Sequence, residues 1–185
     1  MLTGQEYTIR AKYLIGADGA RSKVAADINL PMEGKMDIGG SMNITFKADL
    51  SHLAAHRPSI LYWVFHPGSN IGGLGAGLIR MVRPWNEWLI VWGFDINQEP
   101  PKLNDDEAIQ IVRNLVGIED LDVEILGYSL WGNNDQYATH LQKGRVFCAG
   151  DAIHKHPPSH GLGSNTSIQD SYNLCWKLAC VLKGQ

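Results

Sequence analysis

Residues 144–165 read Gly144-Arg145-Val146-Phe147-Cys148-Ala149-Gly150-Asp151-Ala152-Ile153-His154-Lys155-His156-Pro157-Pro158-Ser159-His160-Gly161-Leu162-Gly163-Ser164-Asn165. The apolar run Val146-Phe147-Cys148-Ala149 is a short buried strand that delivers Gly150 and Asp151 at its C-terminal end, where ligands bind in open α/β sheets. An acidic residue there costs stability unless it has partners, and its carboxylate suits ligand hydroxyls. The alternative is a helix or turn cap. After a loop stiffened by Pro157 and Pro158, Gly161 and Gly163 let the backbone approach a flat ligand, and Ser164 or Asn165 opens a helix with free amides. Such a terminus stabilises a nearby anion by about 0.3–1 kcal/mol when exposed and up to about 2 when partly buried, which tunes a ligand but does not hold it alone.

Downstream, residues 165–183 continue as a helix. Ile168, Tyr172, Cys175, Trp176 and Ala179 share one side, Leu174, Leu178 and Val181 the adjacent one, and Gly184 stops it. So broad an apolar surface predicts a helix buried in a larger domain.

Upstream, Tyr7, Ile9, Ala11, Tyr13 and Ile15 alternate with other residues at strand-like period two until the turn Gly16-Ala17-Asp18-Gly19. Several strands follow. Met42, Ile44, Phe46 and Ala48 share a face, residues 60–66 are rich in aromatic and branched side chains, and Trp88, Ile90, Trp92, Phe94 and Ile96 share another face. A mainly antiparallel sheet is expected. The run Ile71-Gly72-Gly73-Leu74-Gly75-Ala76-Gly77 resembles a phosphate loop in composition but lacks the Lys-Ser/Thr of a Walker sequence and leads into the strand-like residues 78–82. Asn104 and the acidic Asp105-Asp106-Glu107 open an amphipathic helix carrying Ala108, Ile111, Val112 and Leu115 before Gly117 ends it. Residues 121–130 form one further strand.

The composition is that of a globular protein able to bury a core, with 44% hydrophobic and 19% charged residues among 185. The 16 Lys and Arg are interspersed with 19 Asp and Glu and form no basic stripe, so neither nucleic acid nor an anionic membrane is an expected partner. Cys148, Cys175 and Cys180 make no CxxC pair; they read as reduced packing residues in a cytoplasm. No export signal or membrane span is predicted.

The motif around Gly150 resembles the second FAD-binding motif of the class A flavoprotein aromatic hydroxylases. The matching positions are Gly150-Asp151-Ala152, Pro158, Gly161-Leu162-Gly163, Asn165, Asp170, Asn173-Leu174 and Trp176-Lys177-Leu178. Tyr13-Leu14-Ile15-Gly16-Ala17-Asp18-Gly19-Ala20-Arg21-Ser22 resembles the same family's Asp-Gly motif, associated with FAD and the nicotinamide donor; taken alone, an Asp-Gly at a strand end is also a common turn. Where the family closes that motif with Arg, this sequence has Ala25. Leu61-Tyr62-Trp63-Val64, Arg80-Met81-Val82-Arg83-Pro84-Trp85-Asn86-Glu87-Trp88 and Tyr137-Ala138-Thr139-His140-Leu141-Gln142-Lys143-Gly144-Arg145 look like the phenol hydroxylase branch, chlorophenol monooxygenases of the 2,4-dichlorophenol type.

The resemblance implies an α/β fold: a partial FAD-binding, glutathione-reductase-like domain with an inserted, mainly antiparallel substrate domain. Its segments would be 1–30 and 141–185 in the FAD domain and 31–140 in the substrate domain. The family's N-terminal GxGxxG and C-terminal thioredoxin-like region have no counterpart here, so the chain reads as an internal fragment, inactive alone. The implied reaction is ortho-hydroxylation of a phenol to a catechol with FAD, NAD(P)H and O2. Asp18, Gly19, Gly150, Asp151, Pro158, Gly161, Leu162, Gly163, Ser164 and Asn165 are the cofactor-binding residues it implies, with Asp151 on the ribityl chain and the helix start facing the isoalloxazine. No catalytic acid or base is assigned, because the family's base belongs to the missing N-terminal part. A related polyketide hydroxylase or epoxidase, or a fragment that binds no flavin, are the rival readings, and a homo-oligomer stays open for the full-length enzyme.

Three other features invite functional readings. His154, His156 and His160 have a spacing that metal sites use, but no carboxylate or thiolate completes a set, so no metal is expected. Arg80 and Arg83 would steer NAD(P)H or a phenolate, or simply face solvent. Trp63, Trp85, Trp88 and Trp92 would line an aromatic pocket, or fill a core.

Overall fold

The computed structural model describes residues 4–67, 76–158 and 161–185. In chain order the elements are β1 (Leu14–Gly16), α1 (Lys23–Asp27), β2 (Met32–Lys47), α2 (Ser51–Ala54), β3 (Leu61–Val64), β4 (Gly77–Arg83), β5 (Glu87–Phe94), α3 (Asp105–Val116), β6 (Glu124–Ala138), β7 (Gln142–Lys143), β8 (Val146–Cys148), a 3-10 turn (Gly150–Ala152), β9 (His154–Lys155) and α4 (Leu162–Lys183). They form two compact units: Met1–Met36 with Asn134–Gln185, and Asp37–Asn133.

In the Asp37–Asn133 unit the strands follow the order β3-β4-β5-β2-β6. The pairs β3/β4, β4/β5 and β5/β2 are antiparallel. Alternation along β2 and β5 puts Met42, Ile44, Phe46, Trp88 and Ile90 on one face, where they pack with Ala108, Val112 and Leu115 of α3. Trp88 is 1% exposed, and its ring nitrogen donates to the carbonyls of Ala48 (3.1 Å) and Trp85 (2.9 Å). Its indole thus fills the core without leaving a polar atom unpaired. The alternate positions carry a polar ladder: Asn43 Nδ2 donates to Ser129 Oγ, Trp131 Nε1 to Asn43 Oδ1, and Asn133 Nδ2 to Ser41 Oγ.

Helix α3 begins where its sequence signal lies. Asn104 Oδ1 accepts from the Glu107 amide at 2.9 Å, Glu107 Oε2 accepts from the Asn104 amide at 3.0 Å, and left-handed Gly117 (φ 81°) closes the other end. Asn104→Ala should therefore lower stability by about 1 kcal/mol. Urea unfolding of the chain followed by circular dichroism measures this, and an unchanged midpoint would contradict the cap.

In the other unit β1 pairs with β8 in parallel, Gly16 opposite Cys148, and β7 adds to β8 antiparallel. A Cβ on Gly16 would stand 2.7 Å from the Val24 Cβ, so only glycine lets α1 lie this close to β1. The small core here is Leu30, Ala138, Cys148, Ala152 and Ile153 with Val24, Ala25, Ile28 and Met32.

The structure departs from the sequence reading in two places and adds one helix. The alternation over residues 7–15 yields a strand only at Leu14–Gly16, because β8 offers partners to those three residues; Tyr7 and Ile9 stay exposed. Helix α1 had no apolar period to announce it. Cys175 is exposed instead of packed. Within this chain helix α4 is covered on one side: Gly163, Ser167, Asp170, Leu174 and Leu178 form its half-buried side, whereas Ile168 (67% exposed), Tyr172 (76%) and Trp176 (51%) meet no cover among the described residues. The glycine-rich run falls mostly outside the described residues, which resume at Ala76, just before β4. Among the described residues no helix is long and apolar enough to cross a membrane.

Candidate functional site

Strand β8 ends at buried Cys148, and the Ala149 amide donates to the Gly16 carbonyl at 3.0 Å, carrying the parallel register one step further. Gly150 then takes φ 66° and opens the 3-10 turn. Ala152 and Ile153 are each 3% exposed, while Asp151 between Gly150 and Ala152 faces solvent. Its side chain caps nothing: the turn has no side-chain cap bond, and the Asp151 carboxylate has no hydrogen-bond partner among the described residues. A carboxylate held at the tip of a turn with its acceptors free is equipped to receive hydroxyl donors from outside the chain.

The turn is fastened from behind. Asp170 Oδ2, on α4, accepts from the Gly150 amide at 2.9 Å and lies 2.7 Å from His154 Nε2. The side chains of His154 and Asp170 are 8% and 19% exposed, and the ring centroid of His154 is 4.8 Å from that of His156. The sequence places Asp170 in the family pattern and His154 among histidines with metal-like spacing, but does not join the two. The available signal is that Asp170 is the single acidic residue in α4.

Helix α4 starts at Leu162, three residues before the expected Asn165, because Gly161 adopts a left-handed conformation (φ 62°) with its amide donating to the Pro158 carbonyl at 3.0 Å. The side chains that follow bond backwards: Asn165 Nδ2 to Gly161 O, Thr166 Oγ1 to Leu162 O, and Ser167 Oγ to Gly163 O. Among the described residues no side chain caps the N-terminus and no acceptor meets the first-turn amides near Leu162, Gly163 and Ser164, which suit an acceptor from outside the chain. Ser159 and His160 lie outside the described residues.

Asp18 and Gly19 follow β1 at the edge from which Gly150 and Asp151 follow β8, since the two strands are parallel and in register. The two motifs are thus brought to one edge of the pair. Asp18 is engaged internally: Oδ1 accepts from Ser22 Oγ at 2.5 Å and Oδ2 from the Val24 amide at 3.1 Å, and these bonds hold its carboxyl below the usual range. Ser22 Oγ in turn accepts from the Ala25 amide, capping α1. Burial, and then the nearby Asp18 charge, push the Cys148 thiol up. Gly19 has φ 85°, a conformation that glycine adopts without strain.

Two clefts adjoin these residues. One, of about 790 Å³, is lined by Tyr13, Phe147, Asp170, Asn173, Leu174 and Lys177 among others, and one of about 630 Å³ by Arg21, Ser22, Asn29, Ala152 and Lys155 among others. In the Asp37–Asn133 unit Arg83 lies 3.4 Å from Glu87, Trp63 is 47% exposed, and Trp88 belongs to the core. Among the described residues no three His, Cys, Asp or Glu gather as metal ligands.

The sequence matches the family described as "FAD binding domain" over residues 1–185. It is 81% identical over 186 residues to the phenol 2-monooxygenase of Pseudomonas sp. (strain EST1001), covering 100% of this chain and 28% of that protein. It is 61% identical over 183 residues to the 2,4-dichlorophenol 6-monooxygenase of Cupriavidus pinatubonensis (strain JMP 134 / LMG 1197), covering 99% of this chain and 31% of that protein. Among solved structures, the flavin-dependent monooxygenase PieE in complex with FAD and substrate superposes with a TM-score of 0.80 at 42% identity, over 98% of this chain and 31% of PieE. The chain thus spans about a third or less of the length of these relatives.

Proposed function

The chain belongs to the FAD binding domain family, and from that premise we propose that it supplies one side of the flavin site, and the substrate-domain sheet, of a phenol monooxygenase. The enzyme would hydroxylate a phenol or chlorophenol ortho to its hydroxyl with NAD(P)H and O2, in the cytoplasm. Identity of 81% and 61% to two phenol-hydroxylating relatives supports the substrate class. The segments 1–30 and 141–185 belong to the FAD domain and 31–140 to the substrate domain.

The observation that carries the reading is the pairing of unused groups in one unit. Among the described residues, Asp151 offers a carboxylate with no partner, and the start of α4 offers amides with no acceptor. FAD has a polyol chain to donate to the first and a ring that gains negative charge to meet the second, so the residues present fit it. When bound, the flavin supplies the redox chemistry that activates oxygen. The chain's own part is to hold and orient. Asp151 takes the ribityl hydroxyls, the amides around residues 161–165, with Pro158 at the loop that leads to them, face the isoalloxazine, and Gly150 and Gly161 keep the backbone near the ligand. Asp18 and Gly19 shape the adjoining edge through the capped start of α1.

A chimera carrying these 185 residues in the matching stretch of the 81%-identical relative tests the proposal. Given phenol or 2,4-dichlorophenol, it should form catechol in step with NAD(P)H consumed. NAD(P)H oxidation without catechol from either phenol, in a flavin-loaded chimera, would refute the substrate assignment.

A further inference from the structure

We propose that Asp170, through the oxygen it shares between the Gly150 amide and the His154 ring, is the positioning residue that sets Asp151 relative to the start of α4. This rests on the flavin-site reading above. The two bonds, at 2.9 and 2.7 Å, converge on Oδ2 from two different segments, the Gly150 turn and β9. Strand β9 is itself paired to β6 through His154 opposite Tyr137. The carboxylate therefore ties turn, sheet and helix at one atom.

Gly150 meets α4 a second time. A Cβ built on it would lie 3.5 Å from Ser167 Oγ, one helical turn before Asp170, and Ser167 Oγ donates to the Gly163 carbonyl. The Gly150 backbone thus rests on the helix side that leads back to the first-turn amides of α4. A neutral amide at position 170 keeps one acceptor oxygen but loses the charge that strengthens both bonds. The adjoining Asp151 would then lose its fixed placement while the fold persisted, because the unit's core of Leu30, Ala138, Cys148, Ala152 and Ile153 does not involve Asp170.

The test uses the flavin-loaded chimera with Asp151→Ala, Asp170→Asn and the double variant, comparing FAD dissociation constants and flavin absorption spectra. Asp170→Asn should weaken FAD about tenfold and shift the visible spectrum, and the double variant should bind at most about twofold more weakly than Asp151→Ala, as expected when one residue acts through the other. Effects that multiply, or FAD affinity within about twofold of the parent in Asp170→Asn, overturn the inference. If Asp151→Ala weakens FAD and either result appears, only the positioning role falls. If Asp151→Ala leaves affinity unchanged, the flavin-site reading fails and takes this inference with it. Should Asp170→Asn yield no folded holoenzyme, His154→Phe, which keeps the Gly150 bond, should show the same non-multiplicative behaviour with a loss of about threefold, and multiplication there overturns the inference equally.

Discussion

Asp151→Ala in the flavin-loaded chimera should weaken FAD by about 10- to 100-fold, the range expected when hydrogen bonds to a charged group are removed. Within its turn, Gly150 is bonded to Asp170 and Ala152 and Ile153 are packed, whereas the Asp151 carboxylate is exposed and, among the described residues, without a partner. Its replacement should therefore leave the urea unfolding midpoint of the flavin-free protein unchanged while flavin affinity falls. Equilibrium dialysis or fluorescence titration reads the affinity. A loss of stability that matches the loss of binding would contradict this separation, as would unaltered affinity.

Trp88→Ala should cost about 3–5 kcal/mol of stability. The side chain is fully enclosed on β5, with Tyr62 at 6.1 Å between ring centroids and Phe46 and Ile44 in the same cluster. Alanine would empty that volume and also leave the carbonyls of Ala48 and Trp85 without the indole donor that both now share. Since most small domains hold only 5–15 kcal/mol in all, urea unfolding by circular dichroism should show a midpoint displaced far to lower concentration, or no folded baseline. A change below about 1 kcal/mol would mean that Trp88 does not organise this core.

Much of this was legible in the sequence, for a physical reason: period-two alternation and end caps are local. Met42, Ile44 and Phe46 announced the buried face of β2, and Asn104 with Glu107 announced the first turn of α3, because each signal lies within a few residues of its effect. Tyr7 and Ile9 alternate as well as any strand, yet alternation forms no ladder without a partner, and the sequence does not show where the partner ends. The Gly150–Asp170 bond was invisible for the same reason, since it depends on how a turn meets a helix 20 residues later. The resemblance named Asp170 as part of a pattern, and only geometry gave it a task. Helix α4 starts earlier than its composition indicates because Leu162 and Gly163 are poor openers, and left-handed Gly161 does the opening instead.

The parallel pairing of β1 with β8 also bears on the order in which the chain acquires structure. Leu14 cannot pair with Val146 until the whole stretch between them has been made, whereas β3, β4 and β5 can zip together as neighbours. Synthesis therefore favours a history in which the Asp37–Asn133 unit matures first, and β1 waits for the stretch that carries Gly150 and Asp151.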